Sequence, residues 1–193
     1  MPLVVITGPV RSGKSQVAAL LAAESGLPVA VVVAGRAEDA EMSRRIANHQ
    51  TARPSEWRTI EVADPLAWVD GLGDEECILV DCLGSLVSLM MMDVRPKADG
   101  TISYQDESGV EKQARALTDA LLARHAATVV VSNETGWSVV SANAIARLFT
   151  DVLARATARL VEGSQTSWLV VAGRCVELTS LPREAAWTRD DRE

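Results

Sequence analysis

Short apolar runs alternate along this chain with longer segments whose apolar residues recur at helical spacing. The runs Leu3–Thr7, Pro28–Val33, Cys77–Asp81 and Thr128–Ser132 are rich in Val, Ile and Leu, with few polar interruptions. Strands of this kind are buried on both faces, as in a parallel sheet covered by helices on each side. The pattern therefore predicts an α/β fold with a largely parallel sheet and helices on both faces.

The other elements follow from periodicity and from capping residues. Gly26 is placed to cap the first helix, and Asp64-Pro65 is a typical helix start. A single domain is predicted over residues 1–180, followed by a loose polar tail over 181–193. Helices are predicted over Lys14–Glu24, Glu38–Gln50, Asp64–Asp70, Leu83–Asp93, Glu107–His125 and Ser141–Glu162, and further strands over Trp57–Val62, at a sheet edge, Ser167–Ala172 and Arg174–Leu178.

Composition and charge exclude several classes of protein. The net charge of −7 argues against a nucleic-acid surface, which needs a broad basic field. No apolar run is long enough for a membrane span, and the first residues lack the features of a signal peptide. The three cysteines are widely spaced and suggest neither a disulfide nor a zinc framework. We expect a reduced, soluble, cytoplasmic protein without a nucleic-acid partner.

The segment GPVRSGKS fits the phosphate-binding P-loop pattern, and it follows a predicted strand and opens a predicted helix. Glycines let backbone N–H groups turn toward phosphate oxygens, the lysine reaches the β and γ phosphates, and the last serine ligates Mg²⁺. A chance glycine-rich turn is disfavoured by this context. The predicted phosphate-binding residues are Gly8, Pro9, Val10, Arg11, Ser12, Gly13, Lys14 and Ser15.

A P-loop site also needs a carboxylate on the magnesium side. Asp81 ends the apolar run CILVD and is the candidate, together with Ser15, for holding Mg²⁺. The alternative is that Asp81 caps the following helix, which would be the commoner reading without the P-loop. The sequence thus predicts a P-loop NTPase of the RecA-like class.

Three segments together resemble one enzyme family. GPVRSGKS, then EMSRRIANHQTARPSEWRTIE, then VSNETGW followed by ANAIARLFTD, are similar to bifunctional adenosylcobinamide kinase / adenosylcobinamide-phosphate guanylyltransferases of cobalamin biosynthesis. The match runs in order from about Leu3 to Leu178, and its middle block is the most specific part. The resemblance implies a homo-oligomer, a trimer, and implies that ATP or GTP phosphorylates adenosylcobinamide before GTP donates GMP to the phosphate.

The resemblance also implies roles for particular residues. His49 would be the histidine that carries GMP, which suits a neutral imidazole as a nucleophile toward phosphorus. Arg53 could steady phosphate charge with its planar guanidinium. The nucleotide site would include Ala34, Gly35, Gln50, Thr51, Ala52, Arg53, Glu61 and Asp81.

Asn133 and Glu134 follow a predicted core strand, at the edge where open α/β sheets bind ligands. These two residues could position a substrate or simply form a capped turn, and the sequence supports both interpretations equally. Arg147 and Asp151 are expected to form an ordinary intrahelical pair. The chain departs from the family at Ala34, Gly84, Leu89, Thr135 and Ser141. Two alternatives therefore stay open: a P-loop small-molecule kinase without guanylyltransferase activity, and a non-catalytic nucleotide-binding protein.

Overall fold

The computed structural model describes residues 3–35, 53–71 and 73–183. The helix predicted over Glu38–Gln50 and most of the predicted tail lie outside these residues. The strands are β1 (Leu3–Thr7), β2 (Val29–Ala34), β3 (Arg58–Val62), β4 (Cys77–Asp81), β5 (Thr128–Val131), β6 (Thr166–Val171) and β7 (Arg174–Glu177). The α-helices are α1 (Lys14–Glu24), α2 (Leu83–Met90), α3 (Tyr104–Ala123) and α4 (Ala144–Gly163), and Val69–Gly71 forms a 3₁₀ helix.

The strands form a single sheet in the order β3-β2-β4-β5-β1-β6-β7. Every neighbouring pair is parallel except β6 and β7, which are antiparallel. The edge position predicted for the third strand is confirmed. Because six strands run in the same direction, their carboxyl ends share one edge of the sheet, where open α/β sheets bind ligands.

The core has two layers, one on each face of the sheet. Successive residues of β1 alternate between them: Leu3 and Val5 pack toward α2, α3 and α4, whereas Val4 and Ile6 pack toward α1. This alternation follows from the two-residue period of a strand. Helices therefore cover both faces, and the α/β fold class predicted from the apolar runs is confirmed.

One predicted helix is wrong. Residues 64–68 form a bend and turns that lead into the 3₁₀ helix Val69–Gly71. Asp64 does act as a cap, because its carboxylate accepts hydrogen bonds from the N–H groups of Leu66 (2.8 Å) and Ala67 (3.2 Å). The Trp68 indole then donates to the Pro65 carbonyl at 2.8 Å. The segment is too short, and too close to Gly71, for a full α-helix to propagate.

Three predicted helix ends shift by three residues each. The helix α3 begins at Tyr104, because Ser103 caps it by accepting a hydrogen bond from the Asp106 N–H at 3.0 Å. The helix α4 begins at Ala144, where Asn143 is the cap. The helix α2 ends at Met90 instead of continuing to Asp93. Side-chain caps thus set both of the shifted starts.

Candidate nucleotide and phosphoryl-transfer site

The P-loop connects the end of β1 to the start of α1, at the carboxyl edge of the sheet. Gly8 has a φ of +148°, and a Cβ there would lie only 2.2 Å from the Val170 carbonyl oxygen. Gly13 has a φ of +99° and precedes the first helical residue. Both positions therefore favour glycine because of their positive φ, and Gly8 also requires it because a side chain would not fit. The loop ends at the amino terminus of an 11-residue helix, where the helix dipole favours an anion.

Lys14 is held inside this loop and is only 7% exposed. Its Nζ atom donates a hydrogen bond to the Pro9 carbonyl at 2.7 Å. Burial lowers the pKa of Lys14 below 10.5, while the nearby Cys82, Asp81 and Glu134 act in the opposite direction. The ammonium group is thus buried with a single carbonyl partner among these contacts, and a triphosphate would supply the missing negative charge.

Ser12 contributes a second polar group to the loop. Its hydroxyl is buried and has no hydrogen-bond partner within the described part of the chain. A Cβ on Gly8 would lie 3.1 Å from this hydroxyl oxygen. The Ser12 carbonyl accepts a hydrogen bond from the Gly173 N–H at 2.9 Å, which joins the loop to the β6–β7 turn. A buried hydroxyl without a partner suits an oxygen-rich ligand.

Asp81 joins the P-loop to the segment that follows His49 in the sequence. Its Oδ1 accepts a hydrogen bond from the Ser15 hydroxyl at 3.2 Å, and its Oδ2 lies 2.6 Å from Nη2 of Arg53. The Arg53 and Asp81 side chains are 8% and 9% exposed. The sequence predicted that Ser15 and Asp81 would share a site. It did not predict the ion pair with Arg53.

The Ser15 and Asp81 pair fits what a magnesium ion requires. Mg²⁺ prefers oxygen ligands and is often held by one or two protein oxygens together with substrate phosphates. The two side chains supply a hydroxyl and a carboxylate within 3.2 Å of each other, beside the P-loop. No group of three or more His, Cys, Asp or Glu residues within 3–35, 53–71 and 73–183 forms a metal site by itself.

Glu134 also lies against the P-loop. The Thr7 hydroxyl donates to its Oε1 at 2.6 Å, and its backbone N–H donates to the Gly8 carbonyl at 3.0 Å. The neighbouring Asn133 amide donates to Cys82 Sγ at 3.6 Å. These contacts arise because β5 lies between β4 and β1, so the residues after β5 face the ends of both neighbours.

Thr7 and Cys82 are site residues that the sequence analysis missed. Each is adjacent in sequence to a residue that it identified: Thr7 precedes Gly8, and Cys82 follows Asp81. The strand order that brings both beside Asn133 and Glu134 is a tertiary feature. The sequence therefore indicates a role for these two residues only through their position next to the P-loop and next to Asp81.

The remaining predicted nucleotide-binding residues occupy the other end of the same edge. Gly35 follows β2, and its N–H donates to the Val62 carbonyl at 2.8 Å. Glu61 lies on β3, and a Cβ on Gly35 would approach its Cβ to 3.4 Å. Ala34 ends β2, which is separated from β1 by β4 and β5. Contacts within the described residues place these three together but do not join them to the P-loop.

Four predicted site residues, His49, Gln50, Thr51 and Ala52, lie outside the described residues. The intrahelical pair expected between Arg147 and Asp151 is wrong. The Arg147 guanidinium donates to the backbone carbonyls of Ser141 (2.9 Å) and Ala142 (2.8 Å). Arg147 therefore binds the backbone of the loop before α4 instead of pairing with Asp151.

The sequence profile of the cobinamide kinase / cobinamide phosphate guanyltransferase family matches residues 4–178. The chain belongs to this family. The match covers both the P-loop and the block that contains His49, which confirms the resemblance drawn from the sequence motifs. It also confirms the class of enzyme, a kinase and nucleotidyltransferase of cobalamin biosynthesis.

Individual relatives agree with the family match. The bifunctional adenosylcobalamin biosynthesis protein CobP of Pseudomonas aeruginosa is 40% identical over 151 residues, covering 76% of this chain and 79% of the relative. The bifunctional adenosylcobalamin biosynthesis protein CobU of Escherichia coli is 31% identical over 155 residues, covering 78% and 84%.

Among solved structures, a KaiC-like protein from Pyrococcus horikoshii matches with a TM-score of 0.44 and 12% identity, covering 87% of this chain and 70% of that chain. At that TM-score the likeness adds nothing to the assignment, for which the family match suffices. None of the helices within residues 3–35, 53–71 and 73–183 has the length and apolar character of a membrane span.

Proposed function

We propose that this chain carries out both reactions for which its family is named. A nucleoside triphosphate, ATP or GTP, phosphorylates the hydroxyl of adenosylcobinamide, and GTP then donates GMP to the resulting phosphate with release of pyrophosphate. The contact that carries the proposal is the cluster of Ser15, Asp81 and Arg53. It joins the P-loop to the block RIANHQTARPSEW, which distinguishes this family from other P-loop kinases.

The P-loop residues bind the triphosphate. Backbone N–H groups between Gly8 and Gly13 and the buried Ser12 hydroxyl are donors for phosphate oxygens. Lys14 exchanges its contact with the Pro9 carbonyl for the β and γ phosphates and neutralises charge as the phosphoryl group is transferred. Ser15 and Asp81 would hold Mg²⁺, which would offset negative charge on the phosphates when it is bound.

Glu134 positions the acceptor in the kinase reaction. Its carboxylate is fixed by the Thr7 hydroxyl at 2.6 Å and lies beside the P-loop, where the acceptor hydroxyl has to meet the γ phosphate. A carboxylate there accepts a hydrogen bond from that hydroxyl and orients its oxygen toward phosphorus. Asn133, next to it, supplies an amide for the same substrate.

His49 is the nucleophile of the second reaction. An imidazole nitrogen forms a bond to the α phosphorus of GTP, and the bond between that phosphorus and the bridging oxygen breaks, so pyrophosphate leaves. An oxygen of cobinamide phosphate then bonds to the same phosphorus, and the P–N bond to His49 breaks. Arg53, four residues later in the sequence, brings a guanidinium to this chemistry.

The test is to incubate the purified protein with cobinamide, Mg²⁺ and either ATP or GTP, and to follow products by mass spectrometry. Cobinamide phosphate is expected with either or both nucleotides, and the GDP adduct of cobinamide with GTP. Phosphate without the GDP adduct would indicate a kinase lacking the second activity. Nucleotide binding without either product would indicate a non-catalytic protein. Chelation of Mg²⁺ is expected to abolish both products.

Two further proposals are assembly as a homotrimer and a place in the cytoplasm. The family resemblance supports the first, and the three widely spaced cysteines support the second. Light scattering coupled to size-exclusion chromatography tests the first, and a mass near that of the single chain would contradict it.

A further inference from the structure

The loop between β5 and α4 exposes an unusual set of apolar side chains. Every residue from Gly136 to Asn143 is exposed. Within four positions of this loop, Trp137 is 63% exposed, Val139 94% and Val140 80%. Single exposed apolar residues are ordinary on protein surfaces, whereas grouped ones mark a binding surface. We call Trp137, Val139 and Val140 the apolar platform.

The loop is anchored at both ends. At its start, Glu134 is joined to the P-loop through the Gly8 carbonyl and to β1 through Thr7. At its end, Arg147 donates two hydrogen bonds to the carbonyls of residues 141 and 142, and Asn143 caps α4. These contacts fix where the loop leaves and rejoins the fold. The exposure of the apolar platform is therefore a feature of an anchored loop and not of a chain end.

The apolar platform lies close to the triphosphate site. Trp137 is three positions after Glu134, so their Cα atoms are at most about 11 Å apart. The Glu134 N–H is bonded to the first residue of the P-loop. Val10, within the P-loop, is itself 73% exposed. An apolar surface thus adjoins the edge of the sheet at which the acceptor hydroxyl must reach the γ phosphate.

A corrinoid matches this surface by its chemistry. It is a broad macrocycle whose faces carry methyl groups and whose rim carries amide side chains, so an indole and two valines can cover part of it while neighbouring hydroxyls meet the amides. Ser138, between Trp137 and Val139, and Ser141, next to Val140, are exposed and supply such hydroxyls. We propose that the apolar platform binds the corrinoid ring of the acceptor while its hydroxyl is presented to the P-loop. This inference rests on the proposed function.

Exposed substitutions test the proposal without disturbing the core. Trp137→Ala and the double variant Val139→Ser/Val140→Ser are compared with wild type in the kinase reaction, with cobinamide and the nucleotide varied separately. Each is expected to raise the KM for cobinamide about tenfold or more, since a large apolar contact is lost, and to leave the KM for the nucleotide within about twofold. Binding of cobinamide without nucleotide, followed by equilibrium dialysis, is expected to weaken by a similar factor.

Leu181→Ala is the matched control. Leu181 is also exposed, but it follows β7 near Leu178, whose N–H donates to Ser167 at the beginning of β6, so it lies toward the amino-terminal edge of the sheet. Its KM for cobinamide is expected to equal that of wild type. Self-labelling with GMP from GTP uses no corrinoid and provides a second internal reference for the platform variants.

Each outcome has a definite meaning. An unchanged KM and unchanged dialysis for both platform variants, with wild type active, would overturn this proposal alone. A change of oligomeric state in the variants, seen by light scattering, together with unchanged cobinamide affinity, would assign the surface to a second copy of the chain and also overturn it. A wild-type protein that neither binds nor phosphorylates cobinamide would overturn the proposed function, and this proposal with it.

Discussion

Arg53 donates a hydrogen bond to Asp81 across 2.6 Å, and both side chains are buried. Asp81 also accepts a hydrogen bond from Ser15 of the P-loop. The carboxylate that is proposed to hold Mg²⁺ is therefore shared between the phosphate-binding loop and the block that contains His49. This sharing places Arg53, which is four residues after His49 in the sequence, beside the P-loop at the carboxyl edge of the sheet.

Because Arg53 and Asp81 form a buried pair, we expect substitutions at the two positions to have coupled effects on the free energy of unfolding. Arg53→Ala leaves the Asp81 carboxylate buried without this cation and is expected to lower the free energy of unfolding by about 3 kcal/mol. The double variant Arg53→Ala/Asp81→Asn is expected to be less destabilised than the sum of the single variants by about 1–3 kcal/mol. Urea unfolding of the four proteins measures this difference. Additive effects would show that the pair contributes no coupling.

Lys14→Met is expected to abolish kinase activity and to raise the melting temperature at neutral pH. Burial lowers the pKa of Lys14 in the folded state below 10.5, so at neutral pH the folded protein bears the full cost of a buried charge. Between the lowered pKa and 10.5 the unfolded chain binds more protons, so this cost disappears as the pH rises. The gain in melting temperature should therefore shrink with rising pH, as calorimetry of both proteins without nucleotide can measure.

Retention of kinase turnover by Lys14→Met would contradict the assignment of the P-loop as the triphosphate site. A matched change elsewhere on α1, Leu20→Met, alters an exposed side chain of the same helix. It is expected to leave both activity and melting temperature unchanged.

His49→Ala is expected to lose the covalent GMP and the guanylyltransferase step while retaining phosphorylation of cobinamide. The histidine is a nucleophile in one reaction and takes no part in the other. With α-labelled GTP and Mg²⁺, wild type should gain a GMP that acid removes and alkali leaves in place, as for a P–N bond. His125→Ala is the control and should keep the label. A label that persists in His49→Ala, or that maps to a Lys or Cys peptide, would contradict the assignment.

Gly8→Ala and Gly109→Ala should act in opposite directions. A Cβ on Gly8 would lie 2.2 Å from the Val170 carbonyl oxygen at a φ of +148°, so the P-loop has to move and nucleotide binding should be lost. Gly109 lies within α3, and a Cβ there would meet nothing within 4 Å. Alanine at that position is expected to add about 0.5–1 kcal/mol of stability. Thermal melting and nucleotide titration of both variants distinguish these effects.

The sequence predicted the sheet well because its strands are buried on both faces and leave a clear apolar signal. Leu3–Thr7 and Cys77–Asp81 have the predicted bounds. The segment after Asp64 was mistaken for a helix because its cap is real, but the few residues before Gly71 sustain only turns and a 3₁₀ helix. Local capping chemistry is visible in sequence, whereas the length of the element that follows depends on its surroundings.

The site was predictable where chemistry is local and not where it depends on strand order. Lys14, Ser15 and Asp81 were identified from a motif and a strand end, and the structure brings Ser15 and Asp81 together. The contacts of Thr7 with Glu134 and of Arg53 with Asp81 link residues 127 and 28 positions apart. No local pattern encodes such pairs, because they arise only when the sheet brings distant segments together: β5 lies beside β1 for the first pair, and β2 joins β3 to β4 for the second.

The P-loop depends on the far end of the chain, and this has a consequence during synthesis on the ribosome. Gly8 packs against Val170, and Ser12 accepts a hydrogen bond from Gly173, so residues made early need partners made some 160 positions later. β1 itself lies between β5 and β6 and cannot complete its pairing sooner. Contacts of such long sequence separation form late and slowly. A nascent chain that still lacks β6 therefore has an incomplete P-loop, and bound nucleotide can stabilise only a chain that already contains β6 and the β6–β7 turn.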